Sequence, residues 1–130
     1  MLLLESVEPQ QLAAAYVRIY PQLQLAYEAL GYPGRHFNGR LIEVIDQLLA
    51  TPAPAAPIGV HLATANSPVA PKRPWVLYAF DDPALRQLSA GQKIMLRMGP
   101  VNERRVKQRL RALRAQLTSA AGAAGVAAKR

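Results

Sequence analysis

Residues 88–117 read LSAGQKIMLRMGPVNERRVKQRLRALRAQL and hold eight Lys or Arg against one acid, Glu103. The first part is punctuated for helices. Ser89 stands as an N-cap, and Gln92, three residues on, completes a capping box. Gly99 and Pro100 end one helix and begin the next. Beyond Pro100, the residues Val106, Leu110, Leu113 and Leu117 follow at spacings of four, three and four. At about 100° per residue they share one helix face. Arg104, Arg105, Lys107, Arg109, Arg111 and Arg114 cover the remainder. Such a helix must bury its Leu side against other helices. The stretch therefore points to an all-α fold.

The chain N-terminal to it agrees. Between Pro9 and Leu30 the apolar residues Leu12, Tyr16, Ile19, Leu23, Tyr27 and Leu30 keep helical spacing. Pro21 interrupts, because its nitrogen cannot donate and its ring clashes with the preceding turn. Two helical pieces, or one helix bent near Arg18–Tyr20, are expected. LGYPG then stops the helix, with Gly31 suited to the left-handed C′ position. Phe37, Leu41, Val44, Ile45, Leu48 and Leu49 form a second wide stripe. Residues 51–74 contain six prolines and no helical period, so they read as a long connection. Within it IGVHLA has the character of a brief strand. WVLYAF (75–80) is β-prone and is expected to lie extended, its aromatics docked on the helices. Asp82 and Pro83 start a short helix.

The expected architecture is a single helical domain over 1–117, a small bundle of four to five helices with a Pro-rich connection and one extended aromatic segment. The Ala/Gly-rich residues 118–130 read as a disordered low-complexity tail. Leu12, Tyr16, Ile19, Leu23, Tyr27, Leu41, Val44, Ile45, Leu48, Leu85, Leu96, Val106, Leu110 and Leu113 are the expected core.

Charge is lopsided. The net is +8 at pH 7 over 130 residues. Residues 83–130 carry eleven basic residues and one acid, whereas residues 1–82 carry five basic residues and seven acids. A field of this kind favours anionic partners: nucleic acid, an anionic surface or an acidic protein face. No cysteine is present, which excludes disulfides, a thiolate nucleophile and Cys-type zinc sites. No apolar run approaches the roughly 20 residues of a membrane span, and MLLL is too short for a signal-peptide core. As written, the chain reads as soluble.

Catalytic arrangements are poor. His36 lies in a turn and His61 in the Pro-rich connection, neither with a ligand at helical spacing. Asp81 and Asp82 are adjacent, and capping accounts for Asp82. Glu43 and Asp46 share a helix face, as solvated acids commonly do. AGQK lacks the spacing of a phosphate loop, and Gly91 is better explained by close packing. The tyrosines at 16 and 27 fall on the core stripe rather than on a base-stacking platform. No enzyme, no cofactor and no metal site is expected.

Three blocks together, YPQLQLAYEALGYPGRHFNGRLIEVIDQLLATP (20–52), VLYAFDDPALRQLSAGQKIMLRMGP (76–100) and VNERRVKQRLRALRAQL (101–117), resemble the domain-of-unknown-function family 3014. The resemblance implies a bacterial, mostly proteobacterial, protein. Its members look like a short cytoplasmic N-terminus, one transmembrane helix, a linker and this domain outside the cytoplasm, in the periplasm. No biochemical role attaches to the family, so no catalytic residue carries over. Against that pattern this chain resembles the C-terminal part, without an anchor and with a longer Pro/Ala connection near 53–74. A missing part would leave an apolar patch exposed, or lead to self-association.

Two functions follow as expectations. One is a non-catalytic module of an envelope-associated protein, docking an unknown protein partner. The other is a polyanion binder, for nucleic acid or an anionic surface. For both, the candidate contacts are Arg104, Arg105, Lys107, Arg109, Arg111 and Arg114. A basic helix face is also, quite ordinarily, a solvated exterior whose stems cover apolar surface.

Overall fold

The computed structural model describes residues 5–63, 69, 72 and 78–123, with the backbone alone at 121–123. Among the described residues stand five bounded helices, α1 (Pro9–Ala29), α2 (Phe37–Leu49), α3 (Pro83–Arg86), α4 (Ala90–Arg97) and α5 (Pro100–Ala123), and residues 5–6 are helical ahead of them. Between α2 and α3 lie two three-residue strands, β1 (Val60–Leu62) and β2 (Tyr78–Phe80). The domain is mostly all-α. Its long helix α5 packs on α1, α2 and α4, so the amphipathic face read from residues 100–117 organises the bundle.

The local signals act as their chemistry requires. Asp82 caps α3, its side chain accepting from Ala84 N at 2.8 Å, with Pro83 at the first position. The capping box of Ser89 and Gln92 opens α4. Gly31 and Gly99 end α1 and α4 at φ of 101° and 83°, where a side chain would be strained. Gly91 lets α4 approach α2 closely: a Cβ there would meet Leu48 Cδ2 at 2.9 Å.

Of the two readings of the first stripe, two pieces or one helix, the structure has the single helix: α1 is continuous across Pro21. Elsewhere the fold departs from expectation. Helix α5 runs six residues past Leu117, to Ala123. Thr118 and Ser119 donate side-chain hydrogen bonds to the carbonyls of Arg114 and Gln116 within that helix. The start of the expected disordered tail is thus helical, and 124–130 lie outside the described residues. The extended segment has a partner: β1 and β2 pair antiparallel, Val60 opposite Phe80 and Leu62 opposite Tyr78. Phe80 is buried as expected, and Arg97 binds this ladder to α4, its guanidinium 5.3 Å from the Phe80 ring centroid and donating to Tyr78 O at 3.3 Å. Trp75 lies outside the described residues.

The core centres on Ala13, Ile45 and Leu117, with Tyr16, Leu41, Ile42, Leu49, Leu110 and Leu113 around them. Of the expected core residues, Leu12 and Ile19 are 43% and 49% exposed. The face of α1 that meets its neighbours is centred on Ala13 and Tyr20, one residue, about 100°, around the helix. Small Ala13 lets the helices close there, and Leu12 and Ile19 fall at the rim. A second buried group, Phe80, Met95 and Leu96, lies where α4 meets the ladder.

The turn between α1 and α2 is clamped by one side chain. Gln24 Oε1 accepts from Phe37 N at 2.8 Å and from the Tyr20 hydroxyl at 3.1 Å, while Nε2 donates to Arg35 O at 2.7 Å. Helix α2 has no side-chain cap of its own at His36. Gln24, reaching from α1, satisfies one of the orphan amides of its first turn. Next to it the Tyr16 hydroxyl donates to Asn38 Oδ1 at 3.0 Å. Burial, with a smaller contribution from the neighbouring Tyr20, pushes the Tyr16 phenol up to about 12.

Two measurements check this hairpin. Replacing Gln24 with Leu leaves Phe37 N–H and Arg35 C=O without their partner. It should lower stability by about 1–2 kcal/mol in urea unfolding. For Tyr16 the fold favours the neutral phenol, so its contribution is complete below its ordinary value of 10.0 and fades as pH rises toward about 12. Stability of the parent should therefore fall more steeply across that window than stability of Tyr16→Phe. Parallel slopes would show that the hydroxyl is not held.

Candidate functional site

The six basic residues of the candidate face lie on α5, and the packing of that helix sorts them. Lys107 is not on the exterior. It is 8% exposed, and its Nζ lies 2.7 Å from Glu103 Oε1 and 2.5 Å from Thr51 O. Glu103 is 3% exposed. Its contact with Lys107 is a charge pair by distance without hydrogen-bond alignment, since Oε1 has no hydrogen-bond partner by angle. Thr51 follows the end of α2, where the unpaired carbonyls carry the negative end of the helix dipole. The Lys107 ammonium therefore stands at the C-terminal end of α2, where the dipole favours a cation, and binds a carbonyl two residues beyond the helix. Gln92 Nε2 adds a second contact to the same helix end, donating to Gln47 O at 3.0 Å.

Arg114 reaches α2 from the edge of the helix. Its Nε and Nη2 donate to Asp46 Oδ1 and Oδ2 at 2.6 and 3.0 Å, a two-pronged pair. Those hydrogen bonds hold the Asp46 carboxyl below its ordinary value and raise Arg114. Arg105 and Arg109 both meet Glu5. Arg105 Nε is 3.7 Å from the Glu5 carboxylate, and Arg109 Nη2 donates to Glu5 O at 2.5 Å. Arg104 and Arg111 are exposed and have no ion pair among the described residues. The basic helix is thus an inward edge built into the fold and an outward edge facing solvent.

Beside the outward edge lies apolar surface. Val7, Pro9 and Leu12 face Val106, Leu110 and Leu113 across a narrow groove of about 80 Å³, with Arg109 at its lip. A shallower cavity of about 400 Å³ adjoins it, between Glu5, Arg105, Gln108, Arg109 and Ala112. Ile19 and Val101, 49% and 53% exposed, add apolar area on α1 and α5.

The other polar residues form ordinary contacts. Glu43 pairs with Arg40 at 3.1 Å while Asp46 is held by Arg114, so these two acids do not act as a pair. His61 Nδ1 lies 2.7 Å from Asp81 Oδ1 across the ladder, a pairing that sequence spacing hid because 20 residues separate them. Both side chains are at least half exposed. Tyr16, Tyr20, Tyr27 and Phe37 pack ring against ring at centroid distances of 5.5–6.4 Å. Tyr27 and Tyr32 stack at 4.8 Å over a cavity shared with Arg35 and Arg40. Among the described residues no group of three His, Asp or Glu stands together to hold a metal ion. No described helix is long and apolar enough to cross a membrane.

The family model for proteins of unknown function, DUF3014, matches residues 1–114. The chain belongs to this family. No curated protein and no solved structure matches it. The DUF3014 match includes the Pro-rich connection and ends at Arg114, so all six basic residues of the α5 face lie inside it.

The buried pair generates a prediction. Lys107→Met would strand the Glu103 carboxylate in the interior and remove the ammonium from Thr51 O. A loss of about 3–5 kcal/mol is expected, enough to threaten folding of a small domain. Changing both residues to apolar ones, Glu103→Leu with Lys107→Met, should recover most of it in urea unfolding. If the single change costs under about 1 kcal/mol, in the range of a surface pair, the ammonium is not a structural contact.

Proposed function

We propose that this chain is a non-catalytic interaction module that docks a protein partner through the outward edge of α5 and the apolar surface beside it. On this reading the module belongs to an envelope-associated bacterial protein, the setting that the family resemblance implies. The observation that carries the reading is the division of the basic helix. Lys107 and Arg114 are bound to α2, and Arg105 and Arg109 are engaged by Glu5. A polyanion site needs a continuous row of free charges to neutralise phosphates. What α5 offers is an apolar groove at exposed Leu12 with Arg109 at its lip and Arg105 beside it, while Arg104 and Arg111, without an ion pair among the described residues, stand on another part of its exterior. Apolar surface rimmed by charge is the composition of a protein-docking patch.

The alternative, binding of nucleic acid by the same face, makes a different prediction. Labelled DNA and RNA titrated across a salt series should show no binding near physiological salt. A variant with Arg104, Arg105, Arg109 and Arg111 changed to Gln should behave as the parent does. Appreciable affinity that falls steeply with salt and disappears in the variant would overturn the docking reading in favour of the polyanion one.

A further inference from the structure

A separate cavity, of about 600 Å³, opens where the turn between α1 and α2 meets the start of α2. It has an aromatic side and a basic one. Tyr27 and Tyr32 stack at 4.8 Å with their planes 10° apart, and Phe37 packs edge-on against Tyr27 at 5.7 Å. Tyr32 is the outer ring of this set. It is 46% exposed and stacks on no second ring among the described residues. Its place is set before any ligand arrives, because Gly31 and Gly34 turn the chain at φ of 101° and 72° and Gln24 binds Arg35 O at 2.7 Å.

Arg35 and Arg40 supply the charge. Arg35 has no ion pair among the described residues. Arg40 is paired with Glu43 at 3.1 Å, both side chains being more than half exposed, and such a pair contributes little. Glu28, next to Tyr27 on α1, is bound by Gln24 at 2.9 Å and does not line the cavity. The lining therefore sets two guanidiniums against one carboxylate, beside an exposed ring. The first-turn amides of Phe37 and Asn38 are already taken, by Gln24 and by the Tyr20 hydroxyl, so recognition falls to side chains. Gly34 and Gly39 line the cavity without a side chain to fill it.

We propose that this cavity binds a free mononucleotide, a small phosphate monoester carrying a planar ring, with the phosphate on Arg35 and Arg40 and the ring stacked on Tyr32. A guanidinium offers paired N–H donors that match phosphate oxygens. A monoester carries about −1.5 to −2 charges at pH 7, which suits two arginines better than a single carboxylate does. A nucleobase stacks on a tyrosine whatever its hydrogen-bonding pattern. The ligand takes Arg40 from Glu43, so that acid competes with it inside the site. No residue of α5 lines this cavity, and the site is independent of docking on that helix.

The test titrates AMP into the full chain by isothermal titration calorimetry, with adenosine, ribose 5-phosphate and inorganic phosphate as controls. AMP should bind about tenfold more tightly than each control. Arg35→Gln and Arg40→Gln should each weaken AMP by about tenfold. Tyr32→Leu should bring AMP down to the level of ribose 5-phosphate, and Tyr32→Phe, which keeps the ring, should bind as the parent does. Glu43→Gln should tighten AMP by about two- to fivefold, a gain that a merely structural pair would not give. All four positions are exposed, and circular dichroism should show the parent's helix in every variant. No binding of AMP, equal binding of inorganic phosphate, or indifference to the two arginines overturns the site. Single-stranded oligoadenylate is the last arm. If it binds more tightly than AMP through the same residues, the ligand is a nucleic-acid strand and the free mononucleotide is overturned.

Discussion

A charge supplied by one helix completes the end of another. The Lys107 ammonium, with Glu103 beside it, binds the Thr51 carbonyl just past the end of α2, and this contact sets the roll of α5 about its own axis. Ammonium and carboxylate are costly to remove from water, and their attraction offsets that cost only in good geometry. Among the described residues seven hydrophobic side chains are buried against four polar ones, Thr51, Gln92, Glu103 and Lys107, so this network is a substantial part of the interior. A core this small leaves few alternatives. Rolling α5 by one residue would expose Leu117, its most buried side chain, and take Lys107 from Thr51.

Once that roll is fixed, the division of the basic residues follows. Arg114, seven residues after Lys107, projects to the same side and meets Asp46 on α2. Arg104 and Arg111, also seven apart, lie about 60° further round the helix, in solvent. Arg105 and Arg109 fall on the opposite side of the helix from Lys107, at the seam with α1, where they meet residue 5. The buried pair, by setting the angle of the helix, decides which charges reach α1 and which stay in solvent.

Much of this was legible in the sequence where the cause is local. The caps at Asp82 and Ser89, the stops at Gly31 and Gly99 and the Leu stripe of α5 depend on residues within a few positions of one another. Contacts across the fold were not legible. A helical wheel assigns any lysine beside arginines to the exterior, and only the approach of α2 brings a carbonyl to Lys107. Gln24 likewise looks like a polar surface residue of α1 until the turn at Arg35–Phe37 folds back on it. Leu12 and Ile19 were misplaced for a geometric reason. Both lie on the apolar stripe, but the contact centres on Ala13, whose small side chain gave no sign that the helices meet there.

The same arithmetic of charge bears on what docks. The chain's other acids are largely engaged, Glu28 by Gln24, Glu43 by Arg40, Asp46 by Arg114, Asp81 by His61 and Asp82 in capping α3. Apart from Asp46, none of these pairs with α5, in a protein of net charge +8. A second copy of this chain, docked on this face through a two-fold axis, would bring the basic residues of one copy toward those of the other. At contact distance these charges stand well inside the screening length of about 8 Å at physiological salt, and like charges so placed repel. The apolar groove by itself would suit self-association. The arginines around it weigh against that, and they favour a partner that brings the acids this half of the chain lacks.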